Sequence, residues 1–370
     1  MKKTFILLLL CVSILLGGCD LWMDGYYYNV QPHLEDDVRQ DQGSIEASSL
    51  TDLKTAVIEL VEDCGQKAVI YFNSAPQAQL QTYMESVIRD VKYSNPIGAY
   101  AVDEITYEIG TTGGMPAVAV EITYLHSRSE ILRIKQVRNM DTAIQLIAES
   151  VEECDAGIVL KVDQYEALDI AQRIQDYVEQ NPDTCMETPQ VNVATYPQSG
   201  FERVMEVTFA YQTSREVLRD MQNYVGPVFT ASDLNVRGEE EESVKFARIY
   251  SFLMERSDYQ VETSITPAYS LLRHGVGDSK AFANVYAAMC RRAGLDCHTV
   301  AGTRDGEAWF WNLICEDGIY YYVDLLQSNS LGKMQRMTDA DMQGYVWDYT
   351  AYPATGAPEQ MPMETTAPGA

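Results

Sequence analysis

The sequence predicts an α+β fold: two duplicated α-β-α-β-β modules, then a third α+β segment with a different pattern. Three observations carry this. "LKTAVIELVEDCGQKAVIYF" (53–72) is answered by "TAIQLIAESVEECDAGIVLKV" (142–162), so that Val61-Glu62-Asp63-Cys64 falls on Val151-Glu152-Glu153-Cys154 at an offset of 90 residues. "VEITYLHSRSEIL" (120–132) is answered in the same way by "MEVTFAYQTSREVL" (205–218). Beyond an acidic hinge, Arg237 to Glu242, the repeat stops and strands rich in tryptophan and tyrosine begin.

The chain opens MKKTFILLLLCVSILLGGCD, with two lysines ahead of an apolar run from Phe5 to Leu16. That is the pattern of a secretory signal, and the run is short of the roughly 20 residues that span a bilayer. Its small residues ending in Cys19 resemble a bacterial lipoprotein signal. The resemblance implies removal of residues 1–18 and a lipid on Cys19. The mature chain would then be anchored to the cell membrane on its extracytoplasmic face. Residues 19–48, polar, acidic and tyrosine-rich, read as a tether.

Each module (49–136 and 137–230) opens with a helix whose apolar residues recur at i, i+3 and i+4, followed by a short β-branched strand. A second amphipathic helix follows, at about 78–92 and 165–179, ended by Asn95-Pro96 or Asn181-Pro182. Two alternating strands and a short helix close each copy. No titratable cluster recurs at matching positions, so the pair reads as a scaffold and not as a catalytic unit.

The third segment, 240–352, is expected to hold a helix over Val244–Tyr259 and a short helix around Ala268-Tyr269-Ser270-Leu271-Leu272. A buried helix follows from Ser279, with Phe282, Val285, Tyr286, Met289 and Ala293 on its apolar face and Gly294 at its end. Strands are expected at Cys297–Ala301, Glu307–Cys315 and Ile319–Leu326, with Glu316-Asp317-Gly318 turning the last two into a hairpin. The end, 353–370, is rich in proline, threonine and alanine and reads as disordered.

Composition excludes some functions. With 27 basic against 54 acidic residues the net charge is −27, and nucleic acid requires a basic patch. Of eight cysteines, Cys11 falls in the signal and Cys19 would carry lipid. The remaining six, Cys64, Cys154, Cys185, Cys290, Cys297 and Cys315, form no disulfide framework and read mostly as core residues. There is no CxxC pair, and the histidines are His33, His126, His274 and His298, so zinc-ligand spacing is absent and no metal or cofactor is expected.

"AFANVYAAMCRRAGLDC" (281–297) and "WFWNLICEDGIYYYVDLL" (309–326) resemble the transglutaminase-like superfamily, an α+β, papain-like fold. Its members use a Cys-His-Asp triad for acyl transfer or peptide hydrolysis. "TDADMQGYVWDYTAYP" (338–353) resembles the end of this domain in some bacterial surface lipoproteins. The resemblance assigns the nucleophile position to Ser279, the base position to Trp309 and the orienting acid to Asp324. It also suggests a groove near Tyr269, Asp278, Trp311 and Asn312.

Only the acid matches the triad. A thiol at a helix N-terminus is activated because the dipole and free N–H groups stabilise its thiolate. A serine hydroxyl in that field stays neutral and needs a base within hydrogen-bond reach. Indole N–H only donates. Trp309 is therefore expected to pack beside Trp311 and Leu313, in the space a substrate would occupy. Ser279 is expected to act as a helix cap, and Asp324 to accept from the Trp309 indole or a backbone group. These readings point to a degenerate, non-catalytic domain that binds peptide or cell-wall polymer or serves as a scaffold. The alternative is a hydrolase in which His274 or His298 activates Ser279.

Overall fold

The N-terminal stretch shows how local sequence sets its elements. Ser49 caps α1 (Leu50–Glu62) by accepting from the Asp52 N–H, and Leu53, Ala56, Val57, Leu60 and Val61 form its buried face. The computed structural model describes residues 45–73, 77–112, 114–261 and 264–356. The signal segment, Cys19, the tether up to residue 44 and the tail from residue 357 lie outside the described residues. From Glu46 onward the described residues form one compact unit. Among them, no helix is long and apolar enough to cross a membrane.

After β1 (Ile45–Ala47) and α1 come β2 (Lys67–Phe72), α2 (Gln77–Tyr93), α3 (Pro96–Ala101), β3 (Val102–Thr112), β4 (Met115–Tyr124) and α4 (Arg128–Ile131). The sheet order is β1-β2-β4-β3. The next stretch runs β5 (Lys135–Asn139), α5 (Met140–Glu152), β6 (Gly157–Gln164), α6 (Ile170–Gln180), β7 (Gln190–Tyr196), β8 (Arg203–Ala210) and α7 (Arg215–Val236), with sheet order β5-β6-β8-β7. The two sheets thus share one strand order. The aligned helices also end alike. Cys64 and Cys154 take left-handed backbones, φ 54° and 52°, and their N–H groups bond the carbonyls of Val61 and Val151, both at 3.0 Å. The next N–H reaches back to Leu60 or Ser150, which completes the same two-bond termination in both helices.

The structure departs from the sequence reading in several places. Each sheet begins with a strand that precedes its first helix, and β1 takes residues assigned to the tether. Strands of three and five residues, IEA and KQVRN, are too short and polar to show an alternating apolar face. Asn95-Pro96 ends α2 but also opens α3, because Asn95 Oδ1 accepts from the Gly98 N–H at 2.7 Å and Pro96 needs no hydrogen-bond acceptor there. Helix α6 starts at Ile170 because Asp169 caps it. The closing helix of the second stretch is not short. Helix α7 runs for 22 residues, and Leu218, Val225, Phe229 and Val236 extend into the core of the C-terminal segment.

In that segment α8 (Glu242–Met254) stops before the expected Tyr259, because β9 (Asp258–Tyr259) pairs in parallel with β10 (Val276–Gly277). Between them lie α9 (Pro267–Tyr269) and a π-helical turn, Ser270–His274, closed by Gly275 at φ 72°. Helix α10 (Ser279–Arg292) packs against α8 and against β11 (Cys297–Arg304) and β12 (Glu307–Glu316). It is therefore buried nearly all round, with Phe282, Val285, Tyr286 and Met289 inside. Each such side chain contributes roughly 1.5–3 kcal/mol by leaving water. Strand β13 (Ile319–Val323) is shorter than expected because Asp324 leaves it to cap α11 (Leu325–Ser330). Strand β14 (Tyr345–Val346) completes the sheet, in the order β13-β12-β11-β14.

The six cysteines within the described residues are unpaired thiols, and all but Cys315 are buried. The first residues of the expected disordered tail are fixed: the Gly356 N–H bonds Tyr320 O at 3.0 Å, and Thr355 Oγ1 accepts from the Asp339 N–H at 2.6 Å.

Candidate functional site

Three elements meet at the site: the start of α10, the first half of β12 and the junction of β13 with α11. Asp278, with extended backbone (φ −83°, ψ 173°), caps α10 by accepting from the Ala281 N–H at 2.8 Å. Ser279 is thus the first helical residue and not the cap, a correction to the sequence reading. Its hydroxyl is turned instead toward β12, where Oγ accepts from the Phe310 N–H at 3.3 Å, and the residue is only 6% exposed.

Trp309, next to Phe310, is half-buried against the cluster formed by Trp311, Leu313 and Tyr322. Its ring lies 5.4 Å from that of Tyr259. Its indole Nε1–H donates to Asp324 Oδ2 at 2.8 Å.

Asp324 is 1% exposed and is the hub of the site. Oδ1 accepts from the N–H groups of Leu326 and Gln327, both at 3.0 Å, which caps α11. Oδ2 accepts from Trp309, from Arg304 Nη1 at 3.2 Å and from the Tyr345 hydroxyl at 2.6 Å. Five donors keep a buried carboxylate satisfied. Burial, and then the bond to Asp324, raise the Tyr345 phenol well above its usual value, so it remains a donor.

Arg304 and Tyr345 had no signal in the sequence reading. Arg304 ends β11, and β14 pairs Tyr345 directly with it. The only hint was that Tyr345 falls within the 338–353 stretch noted above.

The suggested groove residues separate. Trp311 and Asn312 are completely buried and line no groove. Asn312 Nδ2 donates to Ala283 O at 2.9 Å, tying β12 to α10. Trp311 packs edge-on to Tyr345 and Trp347. These positions alternate across a strand whose two faces are both covered, by α10 on one side and the tyrosine-tryptophan cluster on the other. Asp278 lines a recess of about 180 Å³. Tyr269 is half-buried between the rings of Tyr224 and His274. A second cavity, of about 340 Å³, opens beside Trp309 and Arg304.

Among the described residues no hydrogen bond joins an imidazole to Ser279. His274 packs on Tyr269. His298 is 59% exposed and holds Asp296 at 2.7 Å. It pairs with Leu313, three residues along the sheet from the Ala301–Phe310 pair, a displacement of about 10 Å. Cys290 is buried inside α10, where desolvation pushes its thiol well above the usual range. The indole at position 309 cannot accept a proton, so the Ser279 hydroxyl has only an amide donor beside it.

Residues 230–352 match the profile of the transglutaminase-like superfamily. This part of the chain is a transglutaminase-like domain. Similar solved structures include a candidate protease from Parabacteroides distasonis, 10% identical over 69% of this chain and 39% of that one, with a TM-score of 0.23. A TGase is 9% identical over 59% of this chain and 63% of that one, with a TM-score of 0.26. A candidate cysteine protease from Cytophaga hutchinsonii is 11% identical over 43% of this chain and 70% of that one, also with a TM-score of 0.26. The chain spans less than two thirds of the length of the first two. No curated protein matches it.

Proposed function

We propose that the transglutaminase-like domain is a non-catalytic peptide-binding module, presented outside the cell membrane by a lipid on Cys19. One observation carries the reading: the ring at the base position, Trp309, donates to Asp324 and offers Ser279 no proton acceptor. Loss of nucleophile or base alone lowers turnover by orders of magnitude in well-studied triads, and here both residue types are replaced. Peptide or cell-wall polymer is the ligand class because domains of this resemblance accept extended acyl-donor chains.

The preceding α+β stretch acts as a support. Lys280, next to Ser279, pairs with Glu179 at 2.7 Å. Arg292, at the far end of α10, bridges Asp183 and Asp233 at 2.9 and 2.8 Å. These contacts fix α10 against α6 and α7 and favour a rigid recognition surface.

The test is to assay the purified protein for amidase, protease and amine-incorporation activity beside Ser279→Ala. No turnover is expected from either. Turnover that disappears in Ser279→Ala would overturn the reading.

A further inference from the structure

Arg304 has more donors than its known partners use. A guanidinium carries five N–H groups. One bonds Asp324 at 3.2 Å, and Nε lies 4.0 Å from Asp305, whose side chain is 82% exposed. The guanidinium sits 5.4 Å from the ring centres of both Trp309 and Tyr345, which flank it. Asp324 has four other donors and does not require the rest of the fork.

Arg304 lines the 340 Å³ cavity, where it is the only cation among the described lining residues. Ser257, Gln327 and Asn329 supply neutral polar groups around it, and Tyr259 an aromatic wall. Gln327 is held in place by Tyr345 at 2.7 Å.

We propose that this cavity anchors the free α-carboxylate of a peptide, gripped in a two-pronged manner by Arg304. The inference rests on the peptide-binding reading above and specifies which group of the peptide is recognised. A planar fork matches a planar carboxylate. Asp324, Asp305 and Asp258 lie around the single guanidinium, so the local charge opposes a dianion such as phosphate, and selection of a carboxylate rests on the geometry of the fork. The serine and amide side chains match the peptide groups that precede a C-terminal carboxylate.

Titration calorimetry on the full chain tests this with three probes: N-acetyl-trialanine as the free acid, the same peptide as its C-terminal amide, and the free acid ending in D-alanine. The acid should bind about 10- to 100-fold more tightly than the amide, the size of a charge-assisted bond. Arg304→Gln should erase that difference between acid and amide. Arg304→Lys, which keeps the charge next to Asp324, should retain only part of it and guards against a folding defect. A preference for D-alanine identifies a cell-wall peptide as the source of the carboxylate, and a preference for L-alanine a protein C-terminus. Equal binding of acid and amide overturns the carboxylate anchor and leaves peptide binding standing. Absence of binding by all three overturns both.

Discussion

The Trp309 indole Nε1 donates to Asp324 Oδ2 at 2.8 Å, so the acid holds an indole at the position that the sequence resemblance assigns to an imidazole. The carboxylate keeps its role as an acceptor, but the group it orients has no basic nitrogen. The bond therefore belongs to packing and stability. Trp309→Phe, which keeps an aromatic ring and removes the donor, should lower stability by about 1.5–3 kcal/mol, the usual worth of a bond to a charged group. Urea unfolding measures this, and an unchanged midpoint would deny the bond its structural weight.

Back-substitution tests whether positions 279 and 309 face each other. A histidine at 309 would meet Asp324 Oδ2 in place of the indole and leave its other nitrogen free for a cysteine at 279. In Ser279→Cys alone the thiol has the start of α10 but no base. In Ser279→Cys with Trp309→His the thiolate gains an imidazolium partner, which lowers thiol pKa values. The double variant should react with iodoacetamide about tenfold or more faster than the single one near neutral pH. Equal rates would show that the two positions no longer face each other.

Much of this site was legible in the sequence, for local reasons. Helix α10 follows from its apolar spacing, and the β12–β13 hairpin from Glu316-Asp317-Gly318, where Asp317 and Gly318 take φ 51° and 77°. Asp278 and Ser279 are both competent caps, and the sequence reading favours Ser279 where the structure uses Asp278. The choice comes from tertiary structure, since Ser279 is turned to the Phe310 N–H. Arg304 and Tyr345 reach Asp324 from 20 and 21 residues away. Their meeting depends on the pairing of β11 with β14, a strand of two residues with no pattern to read.

Buried acids of high pKa set the alkaline limit. Burial pushes the Cys185 thiol from 9.0 up to about 12. Desolvation also raises Tyr100, Tyr124, Tyr177, Tyr211 and Tyr345 above their usual 10.0. A group whose folded pKa is raised contributes stability below its unfolded pKa and loses it as pH climbs through the folded value. The urea midpoint should therefore hold to about pH 9, then fall, with Cys185 contributing between about 9 and 12 and the tyrosines from about 10 upward. A midpoint independent of pH across that range would contradict their burial.

Asn312 separates structure from recognition. Its side chain ties β12 to Ala283 of α10 and is fully buried. Asn312→Ala should cost about 1–3 kcal/mol by removing the buried bond that ties β12 to α10 and leaving a void in its place, with peptide affinity unchanged once the protein is folded. A selective loss of affinity without loss of stability would return Asn312 to the groove.

The most direct measurement is the intact mass of the protein after incubation with a fluorophosphonate, which traps an activated serine. With only an amide N–H beside its oxygen, Ser279 should remain unmodified in the folded protein. A stoichiometric phosphonyl adduct mapped to Ser279, and lost on heat denaturation, would show that a base serves it and would contradict the silent site.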